Sequence, residues 1–114
     1  MENQTLIRNL EQASIIRLDQ QVIVETQQTS SMTLVQRPNF GMTLFALDQG
    51  QEIKKHSSPG DAMVNVIEGV AEITIGDDVY NVRAGETIIM PSTIPHGLRA
   101  AQDSFKMLLI IVKP

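Results

Sequence analysis

Apolar and polar positions alternate over short stretches of this chain, and glycine, proline and acidic residues separate the stretches. Such alternation is typical of strands with one buried face. Strands are predicted at QVIVET, SMTLVQ and FGMTLFAL, twice and in part a third time within MVNVIEGVAEITIGDDVYNV, and at TIIMP, HGLRA and FKMLLIIV. The breaks fall at Glu68-Gly69, at GDD (76–78) and at RAGE. Many short strands with regular turns predict an all-β sandwich or barrel.

The chain shows no internal repeat, linker or low-complexity tract. We therefore predict a single domain over residues 1–114, with a core at about 30–113 and an N-terminal arm at 1–29. Within the arm, NLEQA is predicted as one helical turn capped by Asn9. The amide-rich segment DQQVIVETQQTSS (19–31) has one apolar side, which predicts an edge strand.

Composition narrows the classes of partner. The 114 residues carry a net charge of −4 and contain no cysteine, so disulfides and cysteine nucleophiles are excluded. Nucleic acid and anionic membrane surfaces both require a basic face, and neither is expected as a partner. The apolar run MLLIIV is too short to span a bilayer, and the first residues lack the order of a signal peptide. We expect a cytoplasmic protein.

Two segments of the chain share a regular spacing. In the first, Gly50 is followed by His56, and HSSPGDAMVNVIEG continues to Gly69; in the second, Gly85 is followed by Pro91 and then by His96. Both spacings resemble the two motifs of the cupin superfamily, over about residues 30–113. The resemblance implies a double-stranded β-helix, the jelly-roll barrel of the cupins, and it implies that both histidines project into one cavity.

The metal ligands of the family are only half present. Where the cupin pattern has its second histidine the chain has Ser58, and where it has glutamate the chain has Ala62. Thr93 stands in place of the glycine of the second motif and Ala100 in place of its asparagine. His56 and His96 are the remaining candidate ligands for a divalent transition metal.

Local chemistry explains the shape of HSSPGDA without a family. Proline followed by glycine favours a type II turn, in which Gly60 takes a positive φ. Strand parity then places Ala62, Val64 and Val66 on one face, which is the barrel interior by resemblance. The same parity aims Asp61 at the opposite face.

Three uses of the cavity stay open at this point. The histidines could hold a metal with water completing its shell, as in a metal-dependent oxygenase, isomerase or decarboxylase, although no carboxylate stands at position 62. Without metal, the pair could supply a general base. Small side chains could instead leave a mostly apolar pocket for a small organic ligand, unless larger side chains fill the barrel. The pocket is predicted from five residues: Ser58, Ala62, Val64, Met90 and Leu98.

Ligand binding is the leading hypothesis, the two-histidine metalloenzyme is its alternative, and an interaction or structural protein with a solid barrel is the third class. No catalytic residue is assigned. The family resemblance also implies a homodimer, since small cupins commonly pair through their N-terminal strands.

Overall fold

The computed structural model describes residues 5–114. A short 3-10 helix, Leu18–Gln20, precedes eight strands. The strands are β1 (Thr29–Arg37), β2 (Phe40–Leu47), β3 (Glu52–His56), β4 (Asp61–Ile75), β5 (Asp78–Arg83), β6 (Thr87–Met90), β7 (His96–Arg99) and β8 (Phe105–Val112). The predicted all-β class is confirmed.

All strand pairs are antiparallel, and β4 belongs to two sheets. The first half of β4 lies between β8 and β6, and β8 continues to β2 and β1. Beyond Gly69, the second half of β4 pairs with β5 and β7, and β7 continues to β3. This arrangement is the double-stranded β-helix that the sequence predicted. The break predicted at Glu68-Gly69 is therefore a change of partners within one continuous strand.

The larger core cluster fills the space between the two sheets. Alternate residues of β4 point inward, as the parity argument predicted, and Ala62, Val64 and Val66 are buried. They pack with Phe105 and Met107 of β8, which are also fully buried. A second, smaller cluster lies on the other face of β1 and β2 and contains Leu34, Leu44, Ala46 and Val22. The protein thus buries side chains on both faces of its larger sheet.

The N-terminal arm packs on the sheet without joining it. QVIVET, predicted as a strand, pairs with no neighbour in the described chain, and β1 begins only at Thr29. The alternation there is real, because Val22 is buried and Ile23 is 68% exposed. Side-chain packing of Val22 and Val24 on the smaller cluster accounts for the pattern. The predicted edge strand is therefore confined to residues from Thr29 onward.

The helical turn predicted at NLEQA is also wrong. These residues form bends, and both Asn9 and Ala13 have a positive φ, which interrupts a right-handed helix. The Asn9 side chain donates a hydrogen bond to the carbonyl of Thr33 instead, at 2.7 Å. Farther along, the amine of Lys106 donates to the carbonyl of Asp19 at 2.6 Å. The arm is held to the sheet by such contacts, while Ile15 lies on the surface.

No helix within residues 5–114 combines the length and the apolar character that crossing a bilayer would require.

Candidate functional site

The two histidines of the chain meet on neighbouring strands. His56 ends β3 and His96 begins β7, and the two residues are directly opposite in the antiparallel register. Their ring centroids are 4.8 Å apart, with an interplanar angle of 62°. His96 is buried, whereas His56 is exposed. The spacing of the sequence motifs thus brings both rings to one place, one of them deep and one at the surface.

Backbone hydrogen bonds orient both imidazoles in the same way. Nδ1 of His56 lies 2.8 Å from the carbonyl oxygen of Lys54, and Nδ1 of His96 lies 3.1 Å from that of Ile94. A carbonyl oxygen only accepts, so each neutral ring carries its proton on Nδ1. Nε2 of each ring then keeps its lone pair. The pair offers two hydrogen-bond acceptors or two metal-ligating nitrogens.

A cavity of about 120 Å³ opens beside the histidines. Apolar side chains from five strands, together with Ser58 and Lys113, form the rest of its wall. The complete lining is Ile53, His56, Ser58, Ala62, Met90, His96, Leu98, Leu109, Ile111 and Lys113. The barrel is therefore packed through most of its length but not solid at this end.

The structure brings together six of the seven residues predicted for the site. His56, His96, Ser58, Ala62, Met90 and Leu98 all line the cavity. Val64 is fully buried in the larger core cluster and does not line it. Sequence reasoning missed Ile53, Leu109, Ile111 and Lys113. The inward alternation of FKMLLIIV was the available signal for Leu109 and Ile111, whereas nothing local marked Lys113.

The donor set beside the histidines does not fit a three-ligand metal site. Residues 5–114 contain no cluster of three or more His, Cys, Asp or Glu side chains placed to hold a metal. Asp61 is exposed, as parity predicted, and its carboxylate accepts a hydrogen bond from the backbone N–H of Ser92 at 2.8 Å. Catalytic zinc and iron sites use three protein ligands. Two imidazoles without a carboxylate fall short of that number.

The turn predicted at Pro59-Gly60 is wrong in its type. Gly60 is not one of the glycines with a positive φ, which a type II turn would require. Its role is space: a Cβ at this position would lie 2.7 Å from the carbonyl oxygen of Val112 and 2.8 Å from Cγ of Lys113. Glycine therefore lets the HSSPGDA segment pass directly against the end of β8, where Lys113 reaches the cavity.

Thr93 holds a strained backbone beside this segment. Its φ is 69°, in the left-handed region that a β-branched residue rarely adopts. Its N–H donates to the carbonyl oxygen of Ser58 at 2.8 Å, which joins the two motif segments. This is the position at which the cupin pattern has glycine, so the backbone shape has been retained without the residue that suits it.

Thr93→Gly is therefore expected to raise the free energy of unfolding by about 0.5–1 kcal/mol. Glycine removes the strain of the left-handed conformation, which stabilises the folded state by about 1–2 kcal/mol. Glycine also increases the conformational entropy of the unfolded chain, which lowers stability by about 0.4–1 kcal/mol. Denaturant unfolding measures the difference. The matched control is Thr87→Gly in β6, which is expected to lower stability, and a loss in both variants would contradict the strain at Thr93.

These observations define the class of the protein: a small antiparallel barrel with a histidine-lined cavity at one end. Residues 43–113 match a family model that is described as "Cupin domain". That is more than half of the chain, and the chain belongs to the cupin family.

Solved structures extend the comparison to the whole chain. A conserved protein of unknown function from Streptococcus pyogenes is 51% identical, with a TM-score of 0.95 over 99% of this chain and 98% of that one. A cupin superfamily protein from Desulfitobacterium hafniense is 25% identical, with a TM-score of 0.89 over 95% and 98% of the two chains.

A cupin 2 conserved barrel domain protein from Leptotrichia buccalis is 35% identical, with a TM-score of 0.84 over 86% of this chain. The match spans 47% of that longer protein. Among curated proteins, an uncharacterized protein from Streptomyces coelicolor is 25% identical over 76 residues, which are 67% of this chain and 72% of that one. The N-terminal arm and the barrel thus occur together in the Streptococcus pyogenes and Desulfitobacterium hafniense proteins. The names of these four proteins do not state an activity.

Proposed function

We propose that the protein binds a small organic ligand in the barrel cavity beside His56 and His96. The observation that carries this proposal is the cavity itself: six of its lining side chains are apolar, and the other four are His56, Ser58, His96 and Lys113. This is the usual make-up of a small-molecule site.

The volume limits the ligand. An apolar protein cavity of about 150 Å³ accepts benzene, which has six non-hydrogen atoms. The cavity beside His96 has about 120 Å³ and is open at the His56 side. A compact molecule of about six to eight non-hydrogen atoms fits this space. Sugars and nucleotides exceed it.

The histidines determine the polar end of the ligand. With Nδ1 occupied by backbone carbonyls, each ring presents an acceptor to the cavity. A ligand group that donates a hydrogen bond is therefore complementary to them. A ligand with acceptors alone would face two lone pairs at this end.

The proposal is tested with a fragment library and methyl NMR. Compact acids, alcohols and amides of six to eight non-hydrogen atoms are added to protein labelled at its methionine and leucine methyl groups. At least one class is expected to shift the methyls of Met90, Leu98 and Leu109 in a saturable way. Leucine at position 62 would add three carbon atoms to the cavity, so Ala62→Leu is expected to weaken binding at least about tenfold.

Ala84→Leu is the control, because Ala84 lies in an exposed turn outside the cavity. Unchanged methyl spectra with every fragment class would refute ligand binding. Equal affinities of Ala62→Leu and the unchanged protein would refute the location.

A metal-dependent enzyme is the second candidate function. It is favoured by one observation: histidines that ligate metals commonly donate their other ring N–H to a carbonyl or carboxylate, and both rings do so here. His56 and His96 would hold the ion, which would supply a Lewis acid. Elemental analysis of protein purified without a histidine tag decides the matter. Near-stoichiometric metal that is lost in both His56→Ala and His96→Ala would support this candidate, and its absence would remove it.

A further inference from the structure

We propose that the ligand is a small hydroxy acid, bound with its hydroxyl group at His96 and its carboxylate at Lys113. The inference rests on the proposed function, since it assigns a chemical class to the occupant of the same cavity. Three features carry it: a buried hydrogen-bond acceptor, a single cation, and apolar walls around the rest of the cavity.

His96 supplies the buried acceptor. The residue is only 3% exposed, and its side chain makes one hydrogen bond, through Nδ1. In the described chain, every side-chain N or O atom that is fully buried has a hydrogen-bond partner, and Nε2 of His96 has none. Nε2 of His96 therefore still reaches open space, and the space beside it is the cavity. A hydroxyl group can donate to Nε2 there, whereas His56 is exposed and water can satisfy its ring.

Lys113 supplies the cation. It is the one lining residue with a fixed charge, and no carboxylate lines the cavity. Within residues 5–114 its amine takes part in no ion pair. The residue is held in place, because its backbone N–H donates to the carbonyl oxygen of Asn39 at 3.0 Å and its stem lies over Gly60. An ammonium group favours an anionic partner in a charge-assisted hydrogen bond.

The remaining walls of the cavity favour a branched aliphatic body. Met90 and Leu98 are buried, and Leu109 and Ile111 add apolar surface from β8. A second carboxylate would be desolvated against these side chains without a second cation to pair with, at a substantial cost in free energy. A monocarboxylic acid with one hydroxyl group and a few methyl groups meets all three demands.

Three compounds of equal size test the two polar contacts. 2-Hydroxyisobutyrate carries the carboxylate and the hydroxyl, 2-hydroxyisobutyramide lacks the charge, and pivalate replaces the hydroxyl with a methyl group. Dissociation constants are measured by methyl NMR titration at low ionic strength. 2-Hydroxyisobutyrate is expected to bind about tenfold more tightly than either analogue, which corresponds to about 1.4 kcal/mol for each contact.

The variant Lys113→Met is expected to reduce the affinity for 2-hydroxyisobutyrate to that for its amide. Arg83→Met is the matched control: it removes the same charge from an exposed strand position outside the cavity and is expected to change neither constant. Because Lys113 is exposed, its replacement leaves the core intact.

Equal affinities for the acid and the amide, or an unchanged affinity in Lys113→Met, would overturn the assignment of the carboxylate. Equal affinities for the acid and pivalate would overturn the hydroxyl contact. If all three compounds fail while another fragment class shifts the cavity methyls, the hydroxy acid is wrong and ligand binding stands. If no fragment class shifts them, ligand binding itself fails.

Discussion

Gly69→Ala is expected to lower the free energy of unfolding by about 2–5 kcal/mol, a large part of the roughly 5–15 kcal/mol that holds a typical domain folded. Gly69 marks the point where β4 changes sheets, and its φ is 77°. Alanine in that region costs about 1–2 kcal/mol. A Cβ there would also lie 2.1 Å from the carbonyl oxygen of Ser104, so the start of β8 must move. Overpacking of this kind typically costs about 1–3 kcal/mol.

The control separates the two causes. Gly85 has a φ of 90°, but a Cβ there would meet nothing within 4 Å. Gly85→Ala is therefore expected to lose only about 1–2 kcal/mol. Urea unfolding of both variants measures the difference. Equal losses would show that conformation alone matters at Gly69, and the close approach of Ser104 would then carry no energy.

Ala62→Glu is expected to create a metal site, with an affinity for Zn²⁺ about 100-fold above that of the unchanged protein, or about 2.8 kcal/mol. Ala62 lines the cavity together with His56 and His96. A carboxylate at this position would complete two histidines to a three-ligand set. Without metal, the new carboxylate would be buried among apolar side chains, and we expect the variant to lose about 3 kcal/mol of stability.

Ala62→Gln is the matched control, since it has nearly the same shape and no charge. Isothermal titration with Zn²⁺ gives the affinities, and thermal unfolding with and without metal gives the stabilities. A Zn²⁺ concentration about 100-fold above the dissociation constant should restore about 2.7 kcal/mol to Ala62→Glu. Equal Zn²⁺ affinity in the glutamate and glutamine variants would show that position 62 does not complete the site.

The fold could be predicted because its signals are local. Alternation marked β1, β-rich runs between turns marked β2, β6, β7 and β8, and the spacing from Gly50 to Gly69 indicated the barrel. The same alternation misled at QVIVET, since a half-buried segment has this pattern whether or not its backbone pairs with a neighbour. The short strand β3 was not predicted, because EIKKH is mostly exposed and shows no regular alternation.

The site was predictable in part. Inward parity assigned Ala62 and Leu98 to the cavity, because register follows from a period of two. Lys113 could not be assigned, since it reaches the cavity through a close approach of β8 to Gly60. The same contact explains why the type II turn predicted at Pro59-Gly60 was wrong. A glycine in the sequence does not reveal whether the backbone needs a positive φ there or only the absence of a Cβ atom, and at Gly60 it is the latter. The proton positions of both histidines depend on backbone carbonyls that no sequence pattern specifies.

The position of β8 has a consequence for the folding of the protein during its synthesis on the ribosome. Within residues 5–114, β8 follows the other seven strands, yet it lies between β2 and β4 and pairs with both. Translation proceeds at about 5–20 residues per second, so β2 and β4 wait several seconds with unpaired edges. The pair β1-β2 and the pair β4-β6 cannot join into one sheet before β8 is synthesised. We therefore expect nascent chains that stall before β8 to depend on chaperones, which cover such edges.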